Sequence, residues 1–88
     1  MALLFHPDAF ADVPKHHLER LMRKIDWLWV NRMVIRHHQL SENLSGFYKR
    51  RLGKYRIIYS YDTDSDDLKI YLVGLRDTIY RDTSRFIS

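Results

Sequence analysis

The sequence contains no cysteine, only three glycines and two prolines among its 88 residues, and no long hydrophobic run. The lack of cysteine excludes a disulfide scaffold, a thiolate metal site and a cysteine nucleophile, and it is compatible with a reducing compartment. The short apolar runs exclude a membrane-spanning helix. The apolar start, Met1–Phe5, is followed at once by His, Pro and Asp, which is too early for a secretory signal. These absences predict a cytoplasmic protein that does not engage a membrane.

Hydrophobic residues are nevertheless plentiful, at 45% of the chain, with two Trp, six Tyr and four Phe. This composition predicts one globular domain over residues 1–88. The net charge is +4, from 15 basic and 11 acidic residues, and four of the acids lie together in residues 62–67. The rest of the chain is therefore strongly basic. Such a surface is typical of a protein with a polyanionic partner, although a merely solvated basic surface has the same composition.

The N-terminal half predicts a strand and two helices. Ala2–Phe5 is a short apolar run, and residues 8–13 are assigned to a short helix. A longer helix is predicted from about Lys15 to Asn31 because apolar residues recur at steps of three and four. Trp29 falls on this apolar face, whereas Trp27 does not, so Trp27 is either partly buried or an anchor for a partner. The apolar positions are Leu18, Leu21, Met22, Ile25, Leu28 and Trp29.

The C-terminal half predicts strands. Residues 32–45 have no steady period and are interpreted as a connection, and Gly53-Lys54 has the composition of a two-residue hairpin turn. Gly74 is expected to end the last strand. The element order β-α-α-β-β-β predicts an α+β domain, in which an N-terminal strand and a helical hairpin pack on a mainly antiparallel four-stranded sheet. The predicted later strands are Phe47–Leu52, Tyr55–Tyr61 and Leu68–Val73.

The hairpin is unusually basic, because five of the eight residues 49–56 are Lys or Arg. With the turn at its centre, Arg51 lies opposite Arg56, and alternation places Lys49 on the same face. Arg50 falls on the other face, at the margin of the core. Like charges directly opposite destabilise a strand pair by about 0.2–1 kcal/mol, whereas guanidinium groups bind phosphate oxygens in a bidentate manner. The pair therefore indicates a phosphate-binding site, unless both side chains extend into water or bind carboxylates elsewhere.

Two other patterns predict no site. The pairs His16-His17 and His37-His38 have no neighbours at the spacing of a ligand face, so no metal is expected. Residues 62–67 begin like a calcium-binding loop but lack its glycine and its terminal acid, and they are interpreted as a solvated turn.

Two segments, LSGFYKRRLGKYRIIYSYD and IYLVGLRDTIYRD, resemble the RelE/ParE toxin superfamily of type II toxin–antitoxin systems. The resemblance covers Leu40–Asp82 and favours the RelE branch, which consists of ribosome-dependent ribonucleases that cut mRNA in the ribosomal A site. It implies a cognate antitoxin, the ribosome with its A-site mRNA as partner, and no cofactor. The catalytic positions implied by the resemblance are Lys49, Arg51, Arg56, Arg76 and Tyr80. Further RNA-binding positions are Arg50, Lys54 and Arg81.

The chemistry implied by this resemblance is attack of the RNA 2′-OH on the adjacent phosphate. Arg51 and Arg56 would bind the phosphate and Lys49 would assist. Arg76 would stabilise the leaving oxygen, and Tyr80 would stack on a base, act as a base or pack the tail. Two other functions stay open: a ParE-like toxin that inhibits DNA gyrase, and a non-catalytic nucleic-acid-binding module. The first shares the fold, so the fold alone does not decide.

Overall fold

A computed structural model describes residues 1–40, 46–75 and 79. Its architecture confirms the predicted α+β class, with a 16-residue helix and a five-stranded sheet among these residues. Within the same residues, no helix is long and apolar enough to cross a membrane. The elements in chain order are β1 (Ala2–Phe5), α1 (Lys15–Val30), β2 (His38–Gln39), β3 (Tyr48–Leu52), β4 (Tyr55–Asp62) and β5 (Asp67–Leu75).

The sheet has the strand order β1-β5-β4-β3-β2. Strand β1 runs parallel to β5, and all other neighbours are antiparallel. The fifth strand, β2, was not predicted as a strand. Its two residues are exposed and polar, so the sequence has no hydrophobic alternation from which a strand could be predicted there. Only its pairing with β3, where His38 is the partner of Lys49, makes it part of the sheet.

The predicted helical hairpin is wrong, because residues 7–12 form turns and α1 has no helix before it. Three backbone hydrogen bonds here each join an amide to the carbonyl three residues earlier, and the first runs from the Ala9 amide to the His6 carbonyl. The Ala9 carbonyl accepts a bond from the Val73 amide of β5 at 2.9 Å. Pro14 has no amide proton to offer the Phe10 carbonyl, four residues earlier. The backbone groups that a helix would use are therefore committed to β5 or missing.

Helix α1 covers one face of the sheet. It begins at Lys15, after Pro14 in an extended conformation, and Asn31 ends it by donating from its backbone amide and its side chain to the Trp27 carbonyl at 3.0 and 2.8 Å. The predicted boundaries are thus confirmed to within one residue. Burial of each large aliphatic side chain contributes about 1.5–3 kcal/mol. The main core, between helix and sheet, includes Leu21, Ile25, Leu28, Ile57, Tyr59, Leu68 and Ile70.

The basic hairpin has the predicted register. Leu52 pairs with Tyr55, and Arg51 pairs with Arg56. Gly53, at the first central position of the turn, has φ +66°, which glycine adopts without steric cost. Strand β5 does not stop at Gly74 as predicted but continues to Leu75. Gly74 keeps its place in the ladder because it pairs with Arg56 of β4.

The sheet face away from α1, called the open face below, is only partly open. A second apolar cluster lies on it, consisting of Leu40, Ile58, Leu72 and Ile79, with Phe47 packed alongside. Because directly paired residues share a face, Lys49, opposite Ile58, projects on this side. The open face thus combines an apolar part with a basic part.

Candidate nucleic-acid interface

A depression of about 360 Å³ lies on the basic part of the open face and is called the cleft below. The structure brings together there three predicted catalytic residues, Lys49, Arg51 and Arg56. No Asp or Glu is among the described residues of its lining. The described lining consists of His38, Lys49, Arg50, Arg51 and Arg56.

Arg51 and Arg56 are the pair that defines the cleft. They are direct partners across β3 and β4, and Arg51 is exposed while Arg56 is half-buried. The ion pairs found in the described part of the chain do not include Arg51. For Arg51, the alternative that a described carboxylate neutralises it therefore does not hold. Two guanidinium groups on neighbouring strands can share one tetrahedral anion, because each offers several N–H donors in a plane.

Arg50 reaches both sides of β3. It contributes to the lining of the cleft, yet its guanidinium carbon also lies 5.2 Å from the ring centre of Trp27 on α1. Burial raises the pKa of Tyr59 to about 12, and the positive charge of Arg50 and its hydrogen bond to this hydroxyl oppose that rise. The predicted place of Arg50, at the margin of the core, agrees with these contacts.

Lys54 lies apart from the cleft. It occupies the turn of the hairpin and lines a separate depression of about 410 Å³ beside α1, together with His17 and Arg20. Its ammonium nitrogen is 5.9 Å from the ring centre of Tyr55. The structure therefore does not group this predicted RNA-binding residue with Lys49. Arg76, Tyr80 and Arg81 lie outside the described residues, and their roles stay predictions.

His38 is a cleft residue that sequence reasoning missed. It is exposed, and as the partner of Lys49 it projects on the open face. The two-residue strand that carries it has no periodicity, so the histidine could be placed only after the pairing of β2 with β3 was known. No local signal in the sequence distinguishes it from His37, its neighbour.

His37 serves a different purpose, because it anchors the chain just before β2. Its Nε2 lies 2.8 Å from the Arg32 carbonyl oxygen and its Nδ1 lies 2.6 Å from the Tyr59 hydroxyl. A carbonyl oxygen only accepts, so Nε2 donates, and in the neutral ring Nδ1 accepts from Tyr59. The ring also lies 5.3 Å from the rings of Tyr48 and Tyr61. These contacts fix the position of the chain just before β2, and they thereby place His38 at the cleft.

Arg32 ties the end of α1 to the turn between β4 and β5. Its Nε and Nη2 donate to the two carboxylate oxygens of Asp66 at 2.7 and 2.8 Å, and its Nη1 donates to the Trp29 carbonyl at 2.7 Å. The Tyr61 hydroxyl donates to the same carboxylate at 2.6 Å. The hydrogen bonds from Arg32, and then that from Tyr61, hold the pKa of Asp66 well below its usual range. The expected solvated turn is therefore anchored at Asp66.

The comparisons with known proteins concern the whole architecture. The chain superposes on a chain of the RelBE2 toxin–antitoxin complex from Mycobacterium tuberculosis with a TM-score of 0.71 and 23% identity, over 85% of this chain and 96% of the other. The chain has the RelE-like fold. The isolated RelE toxin of E. coli matches over 98% of this chain and 97% of its own, with a TM-score of 0.65 and 18% identity.

The RelE-like fold extends to another toxin among the matches. A YoeB/ParE toxin from Agrobacterium tumefaciens matches with a TM-score of 0.64 and 13% identity, over 86% of this chain and 99% of the other. No protein-family model matches the sequence, and no curated protein matches it either. At identities of 13–23% the similarity concerns the fold, and the chemistry has to be argued from the cleft.

Proposed function

We propose that this chain is the toxin of a type II toxin–antitoxin system and that it cuts mRNA in the A site of the ribosome. The observation that carries the proposal is the cleft on the open face, which Lys49, Arg51 and Arg56 line together. Preorganised cations aimed at the charge that develops on a phosphate are often the largest catalytic contribution. An open basic cleft on a rigid sheet has this character.

The reaction needs one proton to leave the 2′-OH and one proton to reach the departing 5′-oxygen. The 2′-oxygen of the RNA attacks the adjacent phosphorus, the bond from phosphorus to the 5′-oxygen breaks, and a 2′,3′-cyclic phosphate remains. Arg51 and Arg56 hold the non-bridging oxygens and stabilise their added charge. Lys49 lowers the pKa of the attacking hydroxyl, or of a neighbouring base, by its positive charge.

The residues implied by the family resemblance leave the proton transfers unexplained. A tyrosine with an ordinary pKa near 10 is a poor base at neutral pH, and an arginine is a poor acid because its pKa exceeds 12. His38 at the cleft supplies an imidazole, the side chain best suited to exchange protons near neutral pH. We assign to it the proton taken from the 2′-OH or given to the 5′-oxygen. Arg76 and Tyr80 keep their proposed parts, at the leaving oxygen and on a base.

The ribosome supplies what the open cleft lacks. A shallow surface does not by itself align the 2′-oxygen with the departing 5′-oxygen, and such alignment is worth several orders of magnitude in rate. Arg50, Lys54 and Arg81 are proposed to bind the RNA outside the reacting phosphate. The site of action would be the cytoplasm, where the ribosomes are, and the mechanism calls for no cofactor.

The proposed antitoxin would inhibit the toxin by covering the cleft. The M. tuberculosis match is a toxin–antitoxin complex, which supports a protein partner of this kind. A segment with acidic and apolar residues suits the open face, because its basic part adjoins the apolar cluster of Leu40 and Ile58. Charge complementarity of this type favours rapid capture of newly made toxin.

The test is to map mRNA 5′ ends in a reconstituted translation reaction. Wild-type protein should produce new ends at A-site codons only when ribosomes are present. Arg56→Ala should lower the cleavage rate by about 10²–10³-fold, the typical cost of removing one transition-state donor. Lys15→Ala removes a charge from the exposed start of α1, outside the cleft, and should cleave normally. Intact mRNA in the presence of a growth-arresting wild-type protein would overturn the proposal.

One alternative has an observation in its favour. The match to a YoeB/ParE toxin keeps inhibition of DNA gyrase as a second candidate function. In that case supercoiling by purified gyrase would fall on addition of the chain, and Arg56→Ala would inhibit as well as the wild type. The two functions therefore separate in a single pair of assays.

A further inference from the structure

A second depression, of about 450 Å³, lies between α1 and the edge of β3 and is called the groove below. Four of its lining residues are cationic and one is a tryptophan. Its described lining consists of Arg23, Lys24, Trp27, Arg50, Arg51 and Leu52. Neither the family resemblance nor the proposed cleavage chemistry uses Arg23, Lys24 or Trp27.

Trp27 is unusually accessible for its type, with 50% of its surface exposed. Its neighbour Leu28 is fully buried in the main core, so the helix turns the indole away from the sheet. Arg50 lies 5.2 Å from the ring centre, and a cation over an indole is an attractive contact. The rest of the indole borders the groove, where a planar group could stack on it.

The charges around Trp27 are available to an anion. Arg23 binds Glu19 at 2.7 Å, but both side chains are more than three-quarters exposed, and exposed pairs of this kind contribute little stability. A phosphate can therefore displace the carboxylate at small cost. Lys24 is also exposed, and it lines the groove together with Arg23.

The groove and the cleft share two lining residues. Arg50 and Arg51 line both, and they project from opposite faces of β3 because side chains alternate along a strand. Strand β2 pairs only with Tyr48 and Lys49, so among the described residues no strand covers the β3 edge beyond them. A chain that leaves the cleft at Arg51 can thus cross this edge and reach Trp27.

We propose that the groove is a second subsite for single-stranded RNA, in which Trp27 stacks on a base near the cut and Arg23 and Lys24 bind the adjoining phosphates. Aromatic platforms flanked by cations are the usual way to hold single-stranded RNA. The proposal rests on the proposed function for the idea that one RNA strand occupies both sites. The groove itself would bind RNA whether or not the cleft cleaves it.

The first experiment reports on Trp27 directly. Trp29→Phe leaves Trp27 as the only tryptophan, and its fluorescence is followed during titration with a short single-stranded 2′-O-methyl oligonucleotide, which cannot be cut at its own 2′-position. Stacking should quench the emission strongly. An abasic oligonucleotide of equal length and charge should quench little. Equal quenching by both would overturn the stacking assignment.

The second experiment keeps both tryptophans and measures binding of the same labelled oligonucleotide by anisotropy. Trp27→Ala should weaken binding about tenfold, as expected for the loss of one stacked base, without changing the salt dependence. Lys24→Ala should reduce the slope of log Kd against log salt concentration by about 0.7. Trp27→Phe should retain most of the affinity, and Met33→Ala, an exposed apolar residue outside the groove, should bind as the wild type does. Unchanged binding by Trp27→Ala would overturn the subsite.

The outcomes also separate the subsite from the proposed function and from a protein partner. If RNA quenches the fluorescence of Trp27 in Trp29→Phe but the wild type cuts no mRNA on ribosomes, the nuclease proposal fails and the subsite stands. If mRNA is cut normally and Trp27→Ala cuts and binds as well as the wild type, the subsite fails alone. If a synthetic acidic amphipathic helical peptide quenches Trp27 and RNA does not, the groove is a protein-docking surface and the RNA subsite is wrong.

Discussion

Arg51 and Arg56 are direct partners across the β3–β4 hairpin, and both line the same cleft on the open face. Two positive charges directly opposite each other on paired strands destabilise the pairing. The hairpin forms nonetheless, because the opposite face of the same strands buries Leu52, Tyr55 and Ile57. Burial of apolar side chains on one face of the hairpin therefore offsets the repulsion between the two arginines on the other face.

This relationship predicts that activity and stability respond in opposite directions to Arg51→Gln. Removing one of the two charges should raise the free energy of unfolding by about 0.2–1 kcal/mol, while cleavage on ribosomes falls about 10²–10³-fold. Urea denaturation and 5′-end mapping measure the two effects. Lys69→Gln is the control, because Lys69 pairs with Ser60 rather than a cation and lies over Tyr71 at 5.0 Å. It should not stabilise the protein, and a less stable Arg51→Gln would contradict the account of the pair.

His38→Gln should lower the rate of cleavage by about 10²–10⁴-fold, the usual contribution of a positioned acid or base. The dependence of the residual rate on pH should also change shape, because the imidazole no longer exchanges a proton. Its charged neighbours in the cleft are Lys49, Arg50 and Arg51 on β3 and Arg56 on β4. Binding of uncleaved RNA should change little.

The control for His38 is His16→Gln, which alters an exposed histidine on α1. It should leave the rate and its pH profile as in the wild type. A His38→Gln protein with an unaltered pH profile would remove His38 from the proton transfers, even if its rate were reduced.

The ion pair of Asp66 with Arg32 predicts a specific loss of stability in acid. Because the native state lowers the pKa of Asp66, the unfolded chain takes up a proton at a higher pH than the folded one does. The stabilisation is therefore complete above the ordinary carboxyl value and is lost as the pH falls through the lowered native value. Asp66→Asn should be less stable than the wild type at pH 7 and should lose less stability on acidification. Urea midpoints across this pH range test the sign, with exposed Asp64→Asn as the control.

The two glycines of the hairpin and of β5 should respond oppositely to the same substitution. Gly53→Ala forces a Cβ onto a residue at φ +66° and should destabilise the protein by about 1–2 kcal/mol. At Gly74 a Cβ would lie 3.8 Å from the Ile79 Cβ, an ordinary contact, and alanine restricts the unfolded chain. Gly74→Ala should therefore stabilise by about 0.5–1 kcal/mol. Thermal unfolding of the two variants measures the difference, and a destabilised Gly74→Ala would contradict the described surroundings of that residue.

The register of the hairpin could be predicted because its determinants are local, and its outer ends were predicted to within one residue. Gly53 selects the turn, and alternation then fixes Arg51 opposite Arg56 and places Lys49 on the same side. Helix α1 could be predicted equally well, since its apolar period and its end at Asn31 depend on residues that are close in sequence. Lys49, Arg51 and Arg56, three of the four cleft residues on β3 and β4, follow from the same local rules.

The features that escaped prediction depend on distant partners. The turns before α1 are fixed by the bond from the Val73 amide to the Ala9 carbonyl, which no local pattern encodes. Strand β2 exists through its pairing with β3, so the place of His38 in the cleft could be recognised only from the tertiary structure. Gly74 was expected to end β5, and its pairing with Arg56 overrides the weak preference of glycine for strands.

The parallel pairing of β1 with β5 has a consequence for biosynthesis. Residues 2–5 find their partners at residues 67–70, and β5 lies between β1 and β4 in the sheet. During translation β1 therefore has no partner strand in the sheet until residues 67–70 have been made. The sheet therefore closes only after β5 has emerged, and before that point a chain attached to the ribosome carries an incomplete sheet.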